Sequence, residues 1–315
     1  MTDSAAASET AGSERDGFIV VAALWLLAAL AGLAAVASLY MAQSAMALTA
    51  FDASMQLQML STAGVELAAY ELSVPVTTHR PTHGGFSFSL ANSSVTVEYM
   101  SEAARINLNM ASRTMIAGLF AALGAQSDQA GRFADQVVAW RSMPNPERRD
   151  QEDMLYRAAG LSYLPRRAPF DSVNELSLVL GLPTALVERA LPFVTVYSGM
   201  GEVNVLDAAP EVVASLPGMT PAKLEAFLNQ RETLPPDNPE FVLGALGGRQ
   251  PGATVAGSEA YRVRMRITLP DGRQSRPECV IMILGPGEKD AYRVFAWRDG
   301  PEHGTGAPQS QAENR

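Results

Sequence analysis

The first apolar stretch of the chain is long and uncharged. Residues 17–51 contain no Asp, Glu, Lys or Arg, and the apolar run from Phe18 to Tyr40 is 23 residues long. A helix needs about 20 apolar residues to cross the hydrocarbon core of a bilayer. The pattern therefore predicts a single membrane-spanning helix close to the N-terminus.

The helical pattern continues beyond this span. Apolar residues recur at spacings of three and four, as in an amphipathic helix, at Leu48, Phe51, Met55, Met59, Ala63, Leu67 and Tyr70. Pro75 disfavours a helical conformation in the residue before it, so it should end the helix. We expect one helix over residues 18–72, half in the membrane and half packed on a globular domain.

Alternating apolar and polar positions predict strands on both sides of a helical region. The strands are expected at residues 85–90, 94–99, 260–269, 277–284 and 291–297. Asp271-Gly272 has the composition of a tight hairpin turn. We therefore predict an α+β fold, in which a long N-terminal helix and an antiparallel sheet carry a large all-α domain inserted between strands.

An internal repeat lies in the helical region. Residues 105–119 align without gaps on residues 202–216, and Asn107 aligns with Asn204. In each copy a short extended piece enters a helix, so we expect each asparagine to hold the turn by bonding to its local backbone. The candidate caps of the helices that follow are Ser112 and Asp207.

Two glycine-containing turns, at residues 179–183 and 216–219, resemble those of helix-hairpin-helix modules. Such modules often hold DNA phosphates, and that use needs basic flanks. Here only Lys223 follows one turn, and Glu188-Arg189 follows the other. Helix packing is therefore the favoured interpretation, and a membrane-anchored helix-hairpin-helix DNA-binding protein is the alternative.

Composition argues against several kinds of functional site. The net charge of −9 argues against a large nucleic-acid surface. A single cysteine, Cys279, cannot form an intramolecular disulfide, and with three histidines it does not suggest a zinc site. The sequence has no Gly-rich phosphate loop and no Ser/His/Asp or Cys/His constellation, so we expect no enzyme activity.

Three interpretations of the N-terminus are open. A signal peptide is disfavoured, because the apolar run is too long and the residues before it are acidic. A simple anchor fits the length, although only Arg15 precedes it to set the orientation. The third interpretation is a type IV prepilin-like leader, a short hydrophilic segment that ends in Gly before Phe. Gly17-Phe18 matches that pattern.

Ala22 is informative under the third interpretation. Counted from Phe18 it is the fifth residue, where proteins that resemble pilins usually carry Glu. A carboxylate inside the membrane is costly unless it is paired. In pilin-like filaments it is thought to pair with the N-terminal amine of the adjacent subunit, so a subunit with no neighbour above it would not need the carboxylate.

Several short fragments occur in a fixed order along residues 17–297. They are Gly17-Phe18 without the fifth-position Glu, Ile106-Asn107-Leu108-Asn109, Trp140, Glu152-Asp153 with Tyr156, Tyr163 with Pro169-Phe170, Ser172, Glu175-Leu176, Val203-Asn204-Val205 with Ala208, and Leu216-Pro217-Gly218. In this order they resemble the minor pseudopilin K family of the type II, or general, secretion system.

The resemblance implies the fold, the processing, the location and the partners of the protein. It implies a pilin-like fold, cleavage between Gly17 and Phe18 by the prepilin peptidase, and N-methylation of Phe18. It also implies a single pass through the inner membrane, with most of the chain in the periplasm. There the protein would form the pseudopilus tip with minor pseudopilins I and J and initiate pseudopilus assembly, for export of folded proteins across the outer membrane. No nucleic-acid partner is expected.

The domain boundaries follow from the pattern and the resemblance together. We predict a leader at 1–17, the N-terminal helix at 18–72, the pilin-like sheet at 73–105 and 255–299, the inserted helical domain at 106–254 and a disordered tail at 300–315.

The resemblance also raises calcium, which some members of the family bind in the helical domain. The candidate ligands are Asp150, Glu152 and Asp153. Calcium takes six to eight oxygen ligands, several of them usually carboxylates. Ala139 and Ser142 stand where the family carries acids, and the positively charged Arg141, Arg148 and Arg149 lie in the same segment. The sequence therefore favours a solvated acidic loop or local ion pairs with Arg148 and Arg149, and calcium is the alternative.

Overall fold

The computed structural model describes residues 10–73, 80–143, 149–285 and 287–298, without the side chains of residues 10–17, 45, 50 and 149–152. The first nine residues of the predicted leader and the predicted tail at 300–315 lie outside the described residues. The chain divides into two compact units, Met1–Met59 and Leu60–Arg315.

The described residues contain α-helices, strands and short 3₁₀ helices. The α-helices are α1 Thr10–Ser73, α2 Arg113–Ala122, α3 Ser127–Arg141, α4 Arg149–Ala158, α5 Thr184–Ala190, α6 Pro210–Ala214, α7 Pro221–Gln230 and α8 Pro239–Ala245. The strands are β1 His83–Leu90, β2 Ser93–Ser101, β3 Ile106–Asn107, β4 Val194–Thr195, β5 Val203–Asn204, β6 Ala253–Thr254, β7 Ala260–Thr268, β8 Gln274–Ser275, β9 Glu278–Ile283 and β10 Tyr292–Arg298. The 3₁₀ helices are Glu102–Ala104, Val173–Leu178, Leu191–Phe193 and Arg231–Thr233.

Helix α1 is a single continuous element, and it starts earlier than the sequence pattern predicts. It begins at Thr10 rather than at Phe18 and ends at Ser73. Once a helix has formed, each added residue contributes one hydrogen bond, so it propagates until something stops it. In the described residues Phe18–Ser73 is the one helical stretch long and apolar enough to cross a membrane. The part of the chain that the structure describes therefore contains a single candidate membrane anchor.

Inside the second unit the end of α1 packs on the sheet through small and aliphatic side chains. Leu60, Val65, Ala68 and Leu72 are all buried. Gly64 allows the closest approach, because a Cβ there would lie only 2.7 Å from the sulfur of Met265 and 3.4 Å from a methyl group of Val97.

This packing face differs from the stripe that the periodicity identifies. Leu67 and Tyr70 of that stripe are exposed, and Ala63 is only partly buried. The spacing of three and four finds the large apolar residues of a helix. A helix that packs closely on a sheet instead needs small residues at the contact. The residues that fix α1 on the sheet were therefore not found from the sequence.

The sheet is antiparallel and its strand order is β1-β2-β7-β9-β10, with β8 paired to β7. Ala91 and Asn92, both at positive φ, connect β1 and β2. Gly272 also has a positive φ, and its N–H donates to the carbonyl of Leu269 at 3.0 Å, as expected for the predicted hairpin turn. The predicted α+β fold class is confirmed.

The helical region is inserted between the neighbouring strands β2 and β7. Its buried core is built from α2, α3 and the helices after them. Two short parallel pairs, β3 with β4 and β5 with β6, lie within it. The chain leaves and re-enters the sheet at adjacent points, because the N–H of Ser258 donates to the hydroxyl of Ser101 at 2.8 Å.

Candidate functional site: the sheet, its covering helix and the inserted domain

The two sides of the sheet carry different chemistry. On the helix-facing side, the Tyr99 hydroxyl donates to Glu71 of α1 at 3.2 Å, and the Tyr292 hydroxyl donates to Glu66 of α1 at 2.8 Å. The large side chains of the three central strands on this side are buried. They are Val95, Val97 and Tyr99 on β2, Val263, Met265 and Ile267 on β7, and Cys279, Ile281 and Ile283 on β9.

The opposite side of the sheet is charged. Arg262 and Arg264 of β7 both donate to the Glu278 carboxylate of β9, Arg264 at 2.8 Å. Burial alone would raise the pKa of Glu278, but these two guanidinium groups outweigh it and hold the pKa below its usual value. This side is therefore built to face polar surroundings, and the helix-facing side to face apolar ones.

Glu102 joins the charged side to the inserted domain. Its side chain is fully buried and accepts from Arg105 at 3.0 Å, from Arg262 at 2.7 and 3.1 Å, and from the hydroxyl of Thr195. Burial lowers the pKa of Arg105 to about 10, with Glu102 opposing that shift. A buried carboxylate with two arginines fixes geometry, because breaking such a pair leaves an uncompensated charge at a cost of about 3–5 kcal/mol.

The apolar stripe of α1 is exposed at two of its large residues. Met59, in the first unit, is 68% exposed, and Leu67, in the second, is 43% exposed. The periodic stripe is thus available to a partner. Contiguous exposed apolar surface is typical of protein–protein or membrane contact.

The predicted processing residues lie in α1. Phe18 is exposed, Ala22 is partly exposed in the apolar span, and the surroundings of Gly17 lie outside the described side chains. Cleavage after Gly17 and N-methylation of Phe18 stay predictions.

Both asparagines of the internal repeat hold their turns as predicted. The side-chain oxygen of Asn107 accepts from the N–H of Asn109 at 2.8 Å, and that of Asn204 accepts from the N–H of Leu206 at 3.0 Å. Both are buried. The turn chemistry is therefore the same in the two copies.

The predicted caps differ in outcome. Ser112 accepts from the N–H of Met115 at 3.2 Å and caps α2, as expected. Asp207 does not cap α6, whose N-cap is Ala209 with no side-chain hydrogen bond. The Asp207 carboxylate instead accepts from the Asn204 amide at 2.8 Å and lies 2.7 Å from a ring nitrogen of His83.

An arginine completes the turn in each copy. Arg141 donates to the carbonyls of Leu108 and Ala111, and Arg231 donates to the carbonyl of Ala208 at 2.7 Å. Ala111 and Ala208 are aligned in the repeat. From the sequence Arg141 was only a positive charge near the calcium candidates, and the structure gives it a bonding role.

An aromatic cluster brings together four of the fragments that carry the resemblance. The ring of Trp140 lies between 6.2 and 6.4 Å from those of Tyr156, Tyr163 and Phe170. The indole N–H also points at the Glu175 carboxylate, at 3.4 Å. These residues are far apart in sequence but form one packed unit of the inserted domain.

The calcium candidates are only partly described. Asp153 pairs with Arg167, and both side chains are largely buried. The side chains of Arg148 and Arg149, its predicted partners, lie outside the described ones. A guanidinium group already neutralises this carboxylate, which fits poorly with a cation ligand. The side chains of Asp150 and Glu152 lie outside the described ones, and among those described no group of acidic, His or Cys residues could hold a metal ion. Calcium binding stays a prediction.

The two glycine turns adopt the expected backbone. Gly181 and Gly218 both have positive φ, and Gly218 lies between α6 and α7. Thr220 then caps α7 through the N–H of Lys223, at 3.3 Å. A gel shift with DNA at low salt remains the test of the nucleic-acid alternative.

Residues 92–199 match the family model described as type II secretion system (T2SS), protein K, first domain. This segment runs from the β1–β2 turn through the aromatic cluster. It includes Glu102, where the charged side of the sheet meets the inserted domain, a contact called the Glu102 junction below. This segment is therefore similar to the protein K family of type II secretion systems. The fragments from Ile106 to Glu175 lie inside the match, whereas Gly17-Phe18 and the second repeat copy lie outside it.

Two further similarities agree with the match to protein K. A 74-residue segment is 36% identical to the type II secretion system protein K of Klebsiella pneumoniae, and it spans 23% of each chain. One chain of the crystal structure of the GspK-GspI-GspJ complex from the enterotoxigenic Escherichia coli type 2 secretion system has a similar fold. The TM-score is 0.57 at 17% identity, over 78% of this chain and 96% of that one. This likeness supports the fold of sheet, long helix and inserted domain.

Proposed function

We propose that the chain is a minor pseudopilin at the tip of the type II secretion pseudopilus. A single observation carries the proposal, namely similarity to protein K in a chain whose helical domain is inserted in a sheet covered by a long, membrane-length helix. In this role the protein is a single-pass protein of the inner membrane with most of its mass in the periplasm. By analogy with the GspK-GspI-GspJ complex, it binds minor pseudopilins I and J and initiates assembly.

Ala22 supports the place at the tip. The fifth-position Glu of pilin-like chains meets the amine of a neighbouring subunit, and an unpaired carboxylate in the membrane is costly. A topmost subunit needs no such carboxylate, and Ala22 leaves the span apolar.

The exposed apolar residues of α1 supply the contact. Helices associate when apolar side chains from both interdigitate and lose water. Met59 and Leu67 are exposed on α1, so both are available to the helices of partner subunits.

The test is to purify the chain from native membranes, with a functioning prepilin peptidase and with minor pseudopilins I and J of the same genome. We expect intact-mass spectrometry to find a chain that starts at N-methylated Phe18, bound to both partners. Met59→Asp or Leu67→Asp should release the partners, because each places a charge in an apolar contact.

Met143→Asp is the matched control. Met143 is also an exposed methionine, but it lies in the inserted domain, so its substitution should leave the complex intact. A chain that keeps residues before Gly17 and brings down neither partner would refute the proposal.

A further inference from the structure

A cleft of about 1260 Å³ lies where the sheet meets the second half of the inserted domain. A continuous stretch, residues 249–259, lines the cleft and contains β6. The remaining walls include residues 80–83, at the start of β1, and Pro239 and Leu243 of α8. Small-molecule pockets usually measure about 300–1000 Å³, so this cleft is large enough for a segment of polypeptide.

Strand β6 has one paired edge and one open edge. Its pairing with β5 includes the N–H of Val205, which donates to the carbonyl of Thr254 at 3.0 Å. The backbone groups of successive residues in a strand point to opposite edges, so those of Ala253 and Val255 point away from β5. Both residues line the cleft and are only partly buried. The open edge of β6 therefore lies along the cleft.

Several backbone groups on this edge are not paired within the chain. The N–H of Ala253 donates to the carbonyl of Gln250 at 3.2 Å. The carbonyls of Ala253 and Val255 and the N–H of Val255 make no hydrogen bond with another described residue. An open strand edge can pair with another extended chain, and natural edges are usually blocked by charges or proline. Residues 252–258 contain neither.

The position of the edge limits what can pair with it. Because it lies within a cleft, it favours a single extended chain over the edge of a second folded sheet. When an extended peptide adds to a strand, main-chain hydrogen bonds supply the affinity and side-chain pockets supply the specificity. Met200, Leu206 and Leu243 line the same cleft and offer apolar contacts to such a peptide.

The charges of the cleft favour a basic peptide. Among its lining Asp, Glu and Arg side chains, Arg80 and Glu259 form an ion pair. Glu202, Asp237 and Arg249 are exposed and form no ion pair with a described residue. Two free carboxylates against one free guanidinium group leave an excess of negative charge, which attracts a lysine or arginine side chain.

We propose that this cleft binds an extended, basic segment of another polypeptide, which pairs with the open edge of β6. The backbone of the segment donates to the carbonyls of Ala253 and Val255 and accepts from the N–H of Val255. Its basic side chain meets the carboxylate of Asp237 or Glu202. This site goes beyond the proposed function, because neither minor pseudopilin I nor J is needed for it.

The experiment measures peptide binding by fluorescence anisotropy, with the full chain in lipid nanodiscs and no other protein present. The probe is a labelled peptide of sequence Thr-Val-Lys-Val-Thr, blocked at both ends, and we expect it to bind saturably. A second peptide carries methyl groups on two adjacent backbone nitrogens, so each edge of the extended peptide loses a donor. It keeps the charge and the side chains, and it should bind about tenfold more weakly.

A variant of the chain tests the same hydrogen bonds from the other side. Val255→Pro removes the open N–H and should also weaken binding of the first peptide by about tenfold. Val255→Ala is the matched control, because it keeps the N–H and should weaken binding far less. Circular dichroism checks that both variants fold. If Val255→Pro does not fold, the comparison of the two peptides on the unchanged chain still decides.

A second pair of variants tests the charge. Asp237→Asn should weaken binding of the lysine peptide by about threefold, as for an exposed ion pair. It should not change binding of a peptide with norleucine in place of lysine. Glu225→Gln is the matched control, since Glu225 is an exposed carboxylate of α7 that does not line the cleft.

Three results would overturn the proposal. Equal binding of the methylated and unmethylated peptides would show that no strand pairing occurs. The absence of saturable binding up to about 1 mM peptide would show that the cleft is not a peptide site. Equal effects of Asp237→Asn and Glu225→Gln would mean that the lysine is attracted by the net charge of the chain and not by this cleft.

Discussion

The two copies of the internal repeat share one turn and differ in how that turn is anchored. In both, a buried asparagine accepts from the backbone two residues on, and an arginine binds the carbonyl of an aligned alanine. Yet the aligned positions Arg105 and Glu202 have opposite surroundings. Arg105 is buried against Glu102, whereas Glu202 is exposed.

This difference shows which part of the repeat is local chemistry and which part depends on the rest of the fold. The turn needs only a few consecutive residues, so it recurs wherever the motif recurs. The anchoring depends on Arg262 of the sheet, 160 residues away from Glu102 in sequence. The first copy lies where the inserted domain leaves the sheet, whereas the second copy meets the sheet through Asp207 and His83 of β1.

The largest expected effect comes from removing the anchor of the first copy. Arg105→Ala should lower the free energy of unfolding by about 3 kcal/mol, because Glu102 stays buried and loses one of its two arginines. Glu202→Ala should change it by less than about 0.5 kcal/mol, as for most surface substitutions. Urea unfolding followed by circular dichroism measures both. Equal shifts would show that the junction does not anchor the domain.

A smaller effect distinguishes the two turns themselves. Asn204→Asp places a carboxylate against Asp207, whose oxygen lies 2.8 Å from the Asn204 amide nitrogen, and should cost about 1–3 kcal/mol at neutral pH. Asn107→Asp should cost less, because its amide partner is the Ser198 hydroxyl at 3.0 Å, which can donate instead.

Urea unfolding at neutral pH, followed by circular dichroism, measures the loss of stability in both variants. Equal losses would contradict the pairing of Asn204 with Asp207 as the difference between the two turns.

The smallest effects concern the helix caps at aligned positions. Ser112→Ala should destabilise by about 1 kcal/mol, since it removes the cap of α2. Ala209→Ser should stabilise by about 0.5 kcal/mol, because Ala209 already has the extended backbone of an N-cap but no oxygen to offer. Thermal unfolding midpoints should move in opposite directions, and movement in the same direction would contradict the cap assignments.

Much of the fold was predictable because its signals are local. The apolar span, the strand alternation, the Asp271-Gly272 turn and the two asparagine turns each need only a short window of sequence. The packing face of α1 was not predictable, because the need for a small residue at Gly64 arises only from the closeness of Met265 and Val97 in the sheet. The same limit applies to Asp207, because its carboxylate accepts from the Asn204 amide and lies beside the His83 ring instead of capping α6.

In the candidate site, too, some features could be predicted from the sequence and others could not. The helical spacing located the apolar stripe of α1, but the sequence did not show that Met59 and Leu67 of this stripe are exposed instead of packed on the sheet. The Glu102 junction could not be found either, since nothing near Glu102 in sequence indicates Arg262 or Thr195 as its partners.

The contact between Ser101 and Ser258 has a consequence for the order of folding. These residues are 157 positions apart, yet they meet where β2 and β7 pair. Closing an unstructured loop of that length costs about 2 kcal/mol more than closing one of ten residues. A folded inserted domain already holds its two ends together, which removes this cost. We therefore expect the inserted domain to fold first and to act as the nucleus that brings the two halves of the sheet into register.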